Sequence, residues 1–269
     1  MTQFARCFLL VFCQLAVGGL LALSVPPWNE LERGFYKSSA GVFLSAALIG
    51  GAGTVYLRLS RTASGVGGLE AIVWVLFIVL FALYLSTLWG DAMVARARLY
   101  ASALLVGLAA LGASAVGLAR PLGALAICLA LAGTWASAAV LGSVTTGMLI
   151  GHWYLIDPGM EIEPFRRCHR FFILTLRAQI VVLAVTVLAL SLVGPGGARA
   201  DVLAGASDIL LLRVALGPLA ALAIAAMIRR VLAIPQTMAA TGLFYIATLA
   251  VLVGELLGRY LLFRTSLPL

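Results

Sequence analysis

Ionisable side chains stand at a few positions inside long apolar stretches of this sequence. Because a charge in an apolar medium is costly, we expect each of them to be paired or to work in a site, where it can move a proton or hold the polar part of a ligand. The candidates, with the aromatic residues beside one of them, are His152, Trp153, Tyr154, Arg177, Glu70, Asp208, Arg213, Glu255 and Arg259. Their depth along the apolar segments sorts them into two groups, one toward each membrane face.

The first group surrounds the motif GHWY, which ends a long apolar segment. A quinone headgroup site needs an apolar slot, aromatic walls and one or two protonatable groups. His152, Trp153 and Tyr154, with Arg177 on the next segment, offer these groups. The alternative is an interfacial belt, because tryptophan and tyrosine are enriched where helices meet the membrane surface. Pro158 would then do no more than end the helix.

The second group lies toward the opposite face and centres on Glu255 and Arg259. Their i, i+4 spacing with the acid first favours an ion pair within one helix. Such a pair either neutralises itself or holds a carboxylate in a wet pocket for proton transfer, which would make it a rival quinone site. Gly254 and Gly258 flank the pair and would let a neighbouring helix pack closely. The other ionisable residues expected near this face are Glu70, Asp208 and Arg213.

Haem binding is a further hypothesis, because a b-type haem commonly takes imidazole ligands from facing helices at similar depth. His152 and His169 are the only histidines, so bis-histidine ligation would allow one haem at most. No metal site and no covalently bound cofactor are expected, since Walker, GxGxxG and CxxCH motifs are absent. The cysteines form no CxxC pair and are expected to be unbridged; they are Cys7, Cys13, Cys128 and Cys168.

The elements that must position these residues are membrane helices. Hydrophobic residues make up 63% of the 269-residue chain and charged residues 10%, whereas soluble domains carry roughly 25% charged residues. Apolar runs of about 20 residues recur, as the thickness of a bilayer requires. The sequence therefore predicts an all-α polytopic transmembrane bundle that forms a single domain over residues 1–269. The eight predicted spans are Phe4–Val25, Ala40–Leu59, Leu69–Trp89, Leu99–Ala119, Leu122–Tyr154, Phe171–Val193, Ile209–Ile228 and Met238–Phe263.

Three spans have distinctive features. The first is expected to be a membrane helix rather than a signal peptide, because its apolar stretch is long and no clear cleavage site follows. The fifth, at 33 residues, is longer than a bilayer needs, and its GSVTTG segment would let another helix approach closely. In the seventh, the Gly217-Pro218 pair predicts a kink.

The loop charges bear on orientation and partners. The face that holds the N-terminus, here called side A, receives seven arginines, and the opposite face, side B, receives nine arginines and lysines. This bias favours a cytoplasmic side B, with both termini outside, in a bacterial inner membrane. The net charge of +8 comes from residues at helix ends, which predicts contacts with membrane lipids and partner subunits and no binding of nucleic acid. All loops are short, so any catalysis in water would come from a partner chain.

The segment GELLGRYLLF, over residues 254–263, resembles a motif near the last helix of membrane anchor subunits of the DMSO-reductase and polysulfide-reductase type. Eight helices in fewer than 300 residues with both termini outside are similar to the DMSO-reductase anchor. The resemblance implies a subunit without haem that passes electrons from quinol to a partner iron–sulfur subunit. It also implies an acid near the outer face in the quinol site, for which Glu70 is the nearest candidate by depth.

The leading hypothesis is therefore an integral membrane subunit of a redox or respiratory assembly that interacts with quinone or quinol and has no redox centre of its own. One alternative is a transporter of small solutes or lipids that uses Glu255, Asp208 and Arg213 as a polar path. Another is a membrane protein with a single b-type haem held by His152 and His169.

Overall fold

In a computed structural model, the chain forms a bundle of long helices, and none of the described residues lies in a strand. The structure describes residues 2–59, 66–119, 123–157, 159–193, 205 and 207–265. We number the helices by span. They are α1 (Thr2–Ala22), α2 (Arg33–Ala47, a π-helical turn over Leu48–Ala52, and Gly53–Leu59), α3 (Val66–Ser86, then a 3₁₀ turn over Thr87–Trp89), α4 (Met93–Ala119), α5 (Ala124–Ile156), α6 (Glu163–Val193), α7 (Ser207–Val214, a π-helical turn over Ala215–Leu219, and Ala220–Ala233) and α8 (Thr237–Thr265).

Among the described residues, eight helices are long and apolar enough to cross a membrane. This confirms the prediction of an all-α bundle with eight spans, and we treat the chain as a multi-pass membrane protein. Helix α5 has 33 residues, as the length of its apolar run predicts, and reaches about 50 Å at about 1.5 Å per residue. The four cysteines are free thiols.

Three helices begin earlier on side B than the apolar runs predict. Helices α2, α4 and α6 start at Arg33, Met93 and Glu163, whereas their spans were predicted from Ala40, Leu99 and Phe171. Their first turns are helical although they are charged, because the surface charges find partners there. Arg33, for example, pairs with Asp91 at 2.8 Å. An apolar run therefore marks only the part of a helix that lies in lipid, and the helix itself continues past it.

Small residues set the packing of α1 on α5. A Cβ atom built on Gly18 would lie 1.7 Å from the carbonyl oxygen of Ala138, and one built on Gly142 would lie 1.9 Å from the carbonyl carbon of Gly18. The two backbones are thus in direct contact. This confirms that the GSVTTG segment admits a close neighbour, and Gly147 at its other end packs against the Phe244 ring.

Helix α7 changes its geometry where the Gly217-Pro218 pair predicted a kink. A π-helical turn spans Ala215–Leu219 and includes Pro218, which cannot donate the hydrogen bond that a regular helix needs. Gly217 faces Gly254 of α8 at this point, and a Cβ on Gly254 would lie 2.5 Å from the Cα of Gly217. The glycine before the Glu255–Arg259 pair therefore admits a close neighbour, as predicted, and that neighbour is α7.

We expect Gly254→Ala to push α7 away from α8 and to lower the thermal unfolding midpoint, because its new methyl group meets backbone atoms. Overpacking of this kind costs about 1–3 kcal/mol. The matched control is Gly242→Ala on the same helix, where a Cβ has open space within 4 Å. Thermal denaturation in one detergent compares the two. Equal midpoints for both variants would show that α7 and α8 do not meet at Gly254.

Candidate functional site

A buried polar cluster joins α5, α6 and α8. The ion pair predicted within α8 forms, since Arg259 Nη2 lies 3.2 Å from Glu255 Oε2. Arg259 Nη2 also donates to Ser137 Oγ of α5 at 2.9 Å. Gln179 of α6 donates from Nε2 to Glu255 Oε1 and, at 3.3 Å, to Ser137 Oγ. Residues of three helices thus form the polar environment of the Glu255 carboxylate.

Arg213 of α7 completes this cluster. Its guanidinium lies against Gly258, where a Cβ would come within 2.6 Å of its Cζ. The side chains are almost fully enclosed, with 3% exposure for Glu255, 4% for Arg259 and 5% for Arg213. Among the described residues, neither Nη1 of Arg213 nor Nε of Arg259 has a hydrogen-bond partner. We call Glu255, Arg259, Arg213, Gln179 and Ser137 the Glu255 cluster.

Four members of the cluster line a cavity between the helices, namely Ser137, Gln179, Arg213 and Arg259, and Glu255 is bonded to two of them. The charged lining residues of this cavity are Arg213 and Arg259, and its remaining walls are largely apolar. Leu118 of α4 and Val182 and Leu183 of α6 are half-buried, so the apolar end reaches the lipid-facing surface. The space now open to water-sized molecules is about 20 Å³, room for about one water molecule. A larger ligand head would therefore enter only if side chains of the lining moved. The lining residues are Leu10, Ala115, Leu118, Ala130, Gly133, Thr134, Ser137, Gln179, Val182, Leu183, Thr186, Arg213, Arg259 and Leu262.

This arrangement combines hydrogen-bond donors with one proton acceptor. The guanidinium and amide groups can donate to oxygen atoms of a ligand, and the carboxylate of Glu255 can accept a hydrogen bond or a proton. Charged groups act strongly here, because the surrounding medium has a low dielectric constant. The site lies toward side A, with Glu255 about 15 Å along α8 from the helix end at Thr265.

The other acids predicted near this face lie elsewhere. Asp208 is exposed near the start of α7 and takes no part in the cluster. Glu70 of α3 is buried with α4, where its Oε1 accepts a hydrogen bond from Ser114 Oγ at 2.6 Å. Trp74 Nε1 donates to the same Ser114 hydroxyl at 3.2 Å. The structure thus brings Arg213, Glu255 and Arg259 together and leaves Asp208 and Glu70 apart.

The GHWY residues face three different neighbours. His152 is exposed, with Nδ1 3.4 Å from the hydroxyl of Tyr245. Trp153 is half-buried and its ring meets Phe35 edge-on at a centroid distance of 6.3 Å. Tyr154 is buried and donates to the carbonyl oxygen of Glu161. Each of these side chains thus contacts a different part of the bundle, and Arg177 is exposed on α6.

The histidines occupy unlike environments. His169 is buried, with Nε2 2.8 Å from the carbonyl oxygen of Ala225, whereas His152 is exposed. Haem ligation by this pair stays a prediction. No group of three or more metal-ligating side chains occurs in the described part of the chain.

Sequence reasoning missed the neutral members of the cluster, Ser137 and Gln179, because it looked only at ionisable residues. The sequence did contain a feature that could have indicated Gln179. Gln14 and Gln179 are the only side-chain amides within the predicted spans. Gln14 is also fully buried beside the cavity and donates from Nε2 to the carbonyl oxygen of Thr134 at 3.2 Å. An amide inside an apolar span needs partners, and here both amides donate a hydrogen bond near one cavity, although Gln14 Oε1 has no partner among the described residues.

Comparisons with protein-family models, with curated proteins and with solved structures gave no match to this chain. The resemblance of the GELLGRYLLF segment to redox anchor subunits therefore stays a prediction. The structure places two residues of that segment, Glu255 and Arg259, at the centre of the buried cluster.

Proposed function

We propose that this protein is a quinone- or quinol-binding subunit of a redox assembly in a bacterial inner membrane, and that the ligand head binds at the Glu255 cluster. The observation that carries the proposal is the cavity, which is apolar where it reaches lipid and polar at its inner end. A lipid-soluble molecule with an oxygen-bearing ring matches both ends.

The chemistry of the cluster suits both forms of the ligand. The carbonyl oxygens of a quinone would accept hydrogen bonds from Arg213 and Arg259, and a hydroxyl of a quinol would donate to Ser137 Oγ, which also lines the cavity. Oxidation of a quinol releases two protons and two electrons. Glu255 would accept one of these protons through Ser137, the second would pass to water at side A, and the two electrons would pass to a redox group in a partner subunit.

A second candidate is transport of a small solute or lipid, which the π-helical turn in α7 favours. Arg213 stands two residues before this turn over Ala215–Leu219, and such turns occur frequently at functional sites. In this case the cavity would hold a cargo molecule and move it without redox chemistry.

Quinone binding by single-residue variants tests the proposal. The protein would be placed in lipid nanodiscs, and its affinity for an added short-chain quinone would be measured by titration. We expect Arg213→Gln and Arg259→Gln to weaken binding about tenfold, because each removes a guanidinium proposed to donate to the quinone and so about 1.4 kcal/mol of hydrogen bonding. His152→Ala is the matched control, because His152 is exposed outside the cavity, and its affinity should be unchanged.

Two outcomes would contradict the proposal. Failure of the wild-type protein to bind quinone would reject quinone as the ligand and would favour transport. A loss of affinity in His152→Ala with none in the cavity variants would move the quinone site to the GHWY motif. Thermal unfolding of every variant shows that a weakened affinity does not come from loss of the fold.

A further inference from the structure

We infer that the Glu255 cluster binds the head of its ligand as a monoanion, with Arg213 as the residue that selects the negative charge. This rests on the proposed function, because it concerns the same cavity and narrows the class of ligand that the cavity takes. The ligand would be an amphiphile with an ionised, oxygen-rich head and an apolar body.

The cluster holds more positive than negative charge. Two guanidiniums, from Arg213 and Arg259, are buried with one carboxylate, from Glu255, and arginine stays protonated in proteins. With the carboxylate ionised by its pairing to Arg259, the cluster carries a net charge of +1. A buried charge without a counterion is strongly unfavourable, and one negative charge on a ligand would neutralise it.

Two donor nitrogens of the cluster lack an acceptor among the described residues. Arg213 Nη1 and Arg259 Nε are buried and have no hydrogen-bond partner among the described residues, and both side chains line the cavity. An anionic oxygen is the best acceptor for such groups, since charge-assisted hydrogen bonds are about twice as strong as neutral ones. A neutral carbonyl could accept the same bonds but would leave the positive charge in place.

Arg213 differs from Arg259 in its partners. Arg259 is tied to Glu255 and Ser137, whereas Arg213 lines the cavity and its Nη1 atom has no hydrogen-bond partner among the described residues. Gly258 leaves room for this guanidinium, because any larger side chain would come within 2.6 Å of its Cζ. The missing side chain at Gly258 of α8, and not an ion pair, therefore makes room for the Arg213 guanidinium.

Two sources could supply such a head, namely an acidic hydroxyquinone ring and the carboxylate of an anionic lipid. A matched set of probes separates them. The first is a 2-hydroxy-3-alkyl-1,4-naphthoquinone, which is ionised at neutral pH, and the second is its 2-methoxy ether, which is not. The third is an alkyl carboxylate with a chain of the same length. Binding would be measured with the full chain in nanodiscs of phosphatidylcholine.

We expect the ionised naphthoquinone to bind at least about tenfold more tightly than its ether, as one added charge-assisted hydrogen bond predicts. In Arg213→Gln this preference should fall to about threefold or less, while Arg213→Lys keeps it. Acidification that protonates the probe should abolish the preference in the wild-type protein as well, which tests the inference without any substitution.

The outcomes separate the inference from the proposed function. Equal binding of the hydroxy and methoxy probes would overturn the monoanion and leave quinone binding intact. Binding of the alkyl carboxylate alone would support the monoanion and reject quinone as the ligand. Binding of none of the three probes would reject both. A preference that survives Arg213→Gln in a folded protein would show that Arg213 does not select the charge.

Discussion

Gly142→Ala is expected to lower the thermal unfolding midpoint by about 2–12 °C, as an overpacking cost of about 1–3 kcal/mol predicts for a domain of this size. The added Cβ would lie 1.9 Å from the carbonyl carbon and oxygen of Gly18. Because those atoms belong to a helix backbone, no change of side-chain rotamer can relieve the clash. Helices α1 and α5 would have to separate, and the hydrogen bond from Gln14 to Thr134 would lengthen with them.

The experiment needs only two variants and one detergent. Gly41→Ala in α2 is the control, because a Cβ at this position meets nothing within 4 Å and alanine favours a helix over glycine. Its midpoint should equal or slightly exceed that of the wild-type protein. If Gly142→Ala unfolded at the same temperature as Gly41→Ala, the direct contact between α1 and α5 would be wrong.

Much of the fold was predictable because it depends on local properties of the sequence. Runs of apolar residues gave the eight spans, and the i, i+4 spacing of Glu255 and Arg259 gave their ion pair. Small residues in the GSVTTG segment marked a close helix contact, but they could not name its partner. The pairing of α5 with α1 depends on the whole bundle, which periodicity within one helix does not encode.

The candidate sites were grouped by depth, and depth ignores rotation about the helix axis. Asp208 and Arg213 differ by five residues, which is about 140° around a helix, so that one is exposed while the other is buried. Consecutive residues differ by about 100°, so His152, Trp153 and Tyr154 could not share one face of α5. The rotation between consecutive residues follows from the sequence alone, and it makes the GHWY motif less suitable as a compact site.

The partners of Glu255 from other helices could not be predicted in this way. Gln179 precedes Glu255 by 76 positions and Ser137 precedes Arg259 by 122 positions. Their meeting depends on how α5, α6 and α8 rotate and pack against one another. The sequence could show only that a carboxylate and an amide inside apolar spans would each need partners.

The charge of the Glu255 cluster predicts that the single acid, Glu255, contributes more to the stability of the fold than Arg259 does. Glu255→Gln leaves two buried guanidiniums without a counterion, and we expect it to lower the free energy of unfolding by about 3–5 kcal/mol. Arg259→Gln should cost less, because Arg213 remains to balance the carboxylate. For the same reason the double variant Glu255→Gln/Arg259→Gln should be more stable than Glu255→Gln alone.

Unfolding midpoints of the two single variants and the double variant measure this order, with Arg264→Gln as the control on the exposed end of α8. Arg264→Gln should match the wild-type protein. If Arg259→Gln were as destabilising as Glu255→Gln, Arg213 would not balance the carboxylate and the net charge of +1 would be wrong. If the predicted order holds, the excess positive charge belongs to Arg213. A ligand that restores neutrality should then stabilise the wild-type protein more than it stabilises the Arg213→Gln variant.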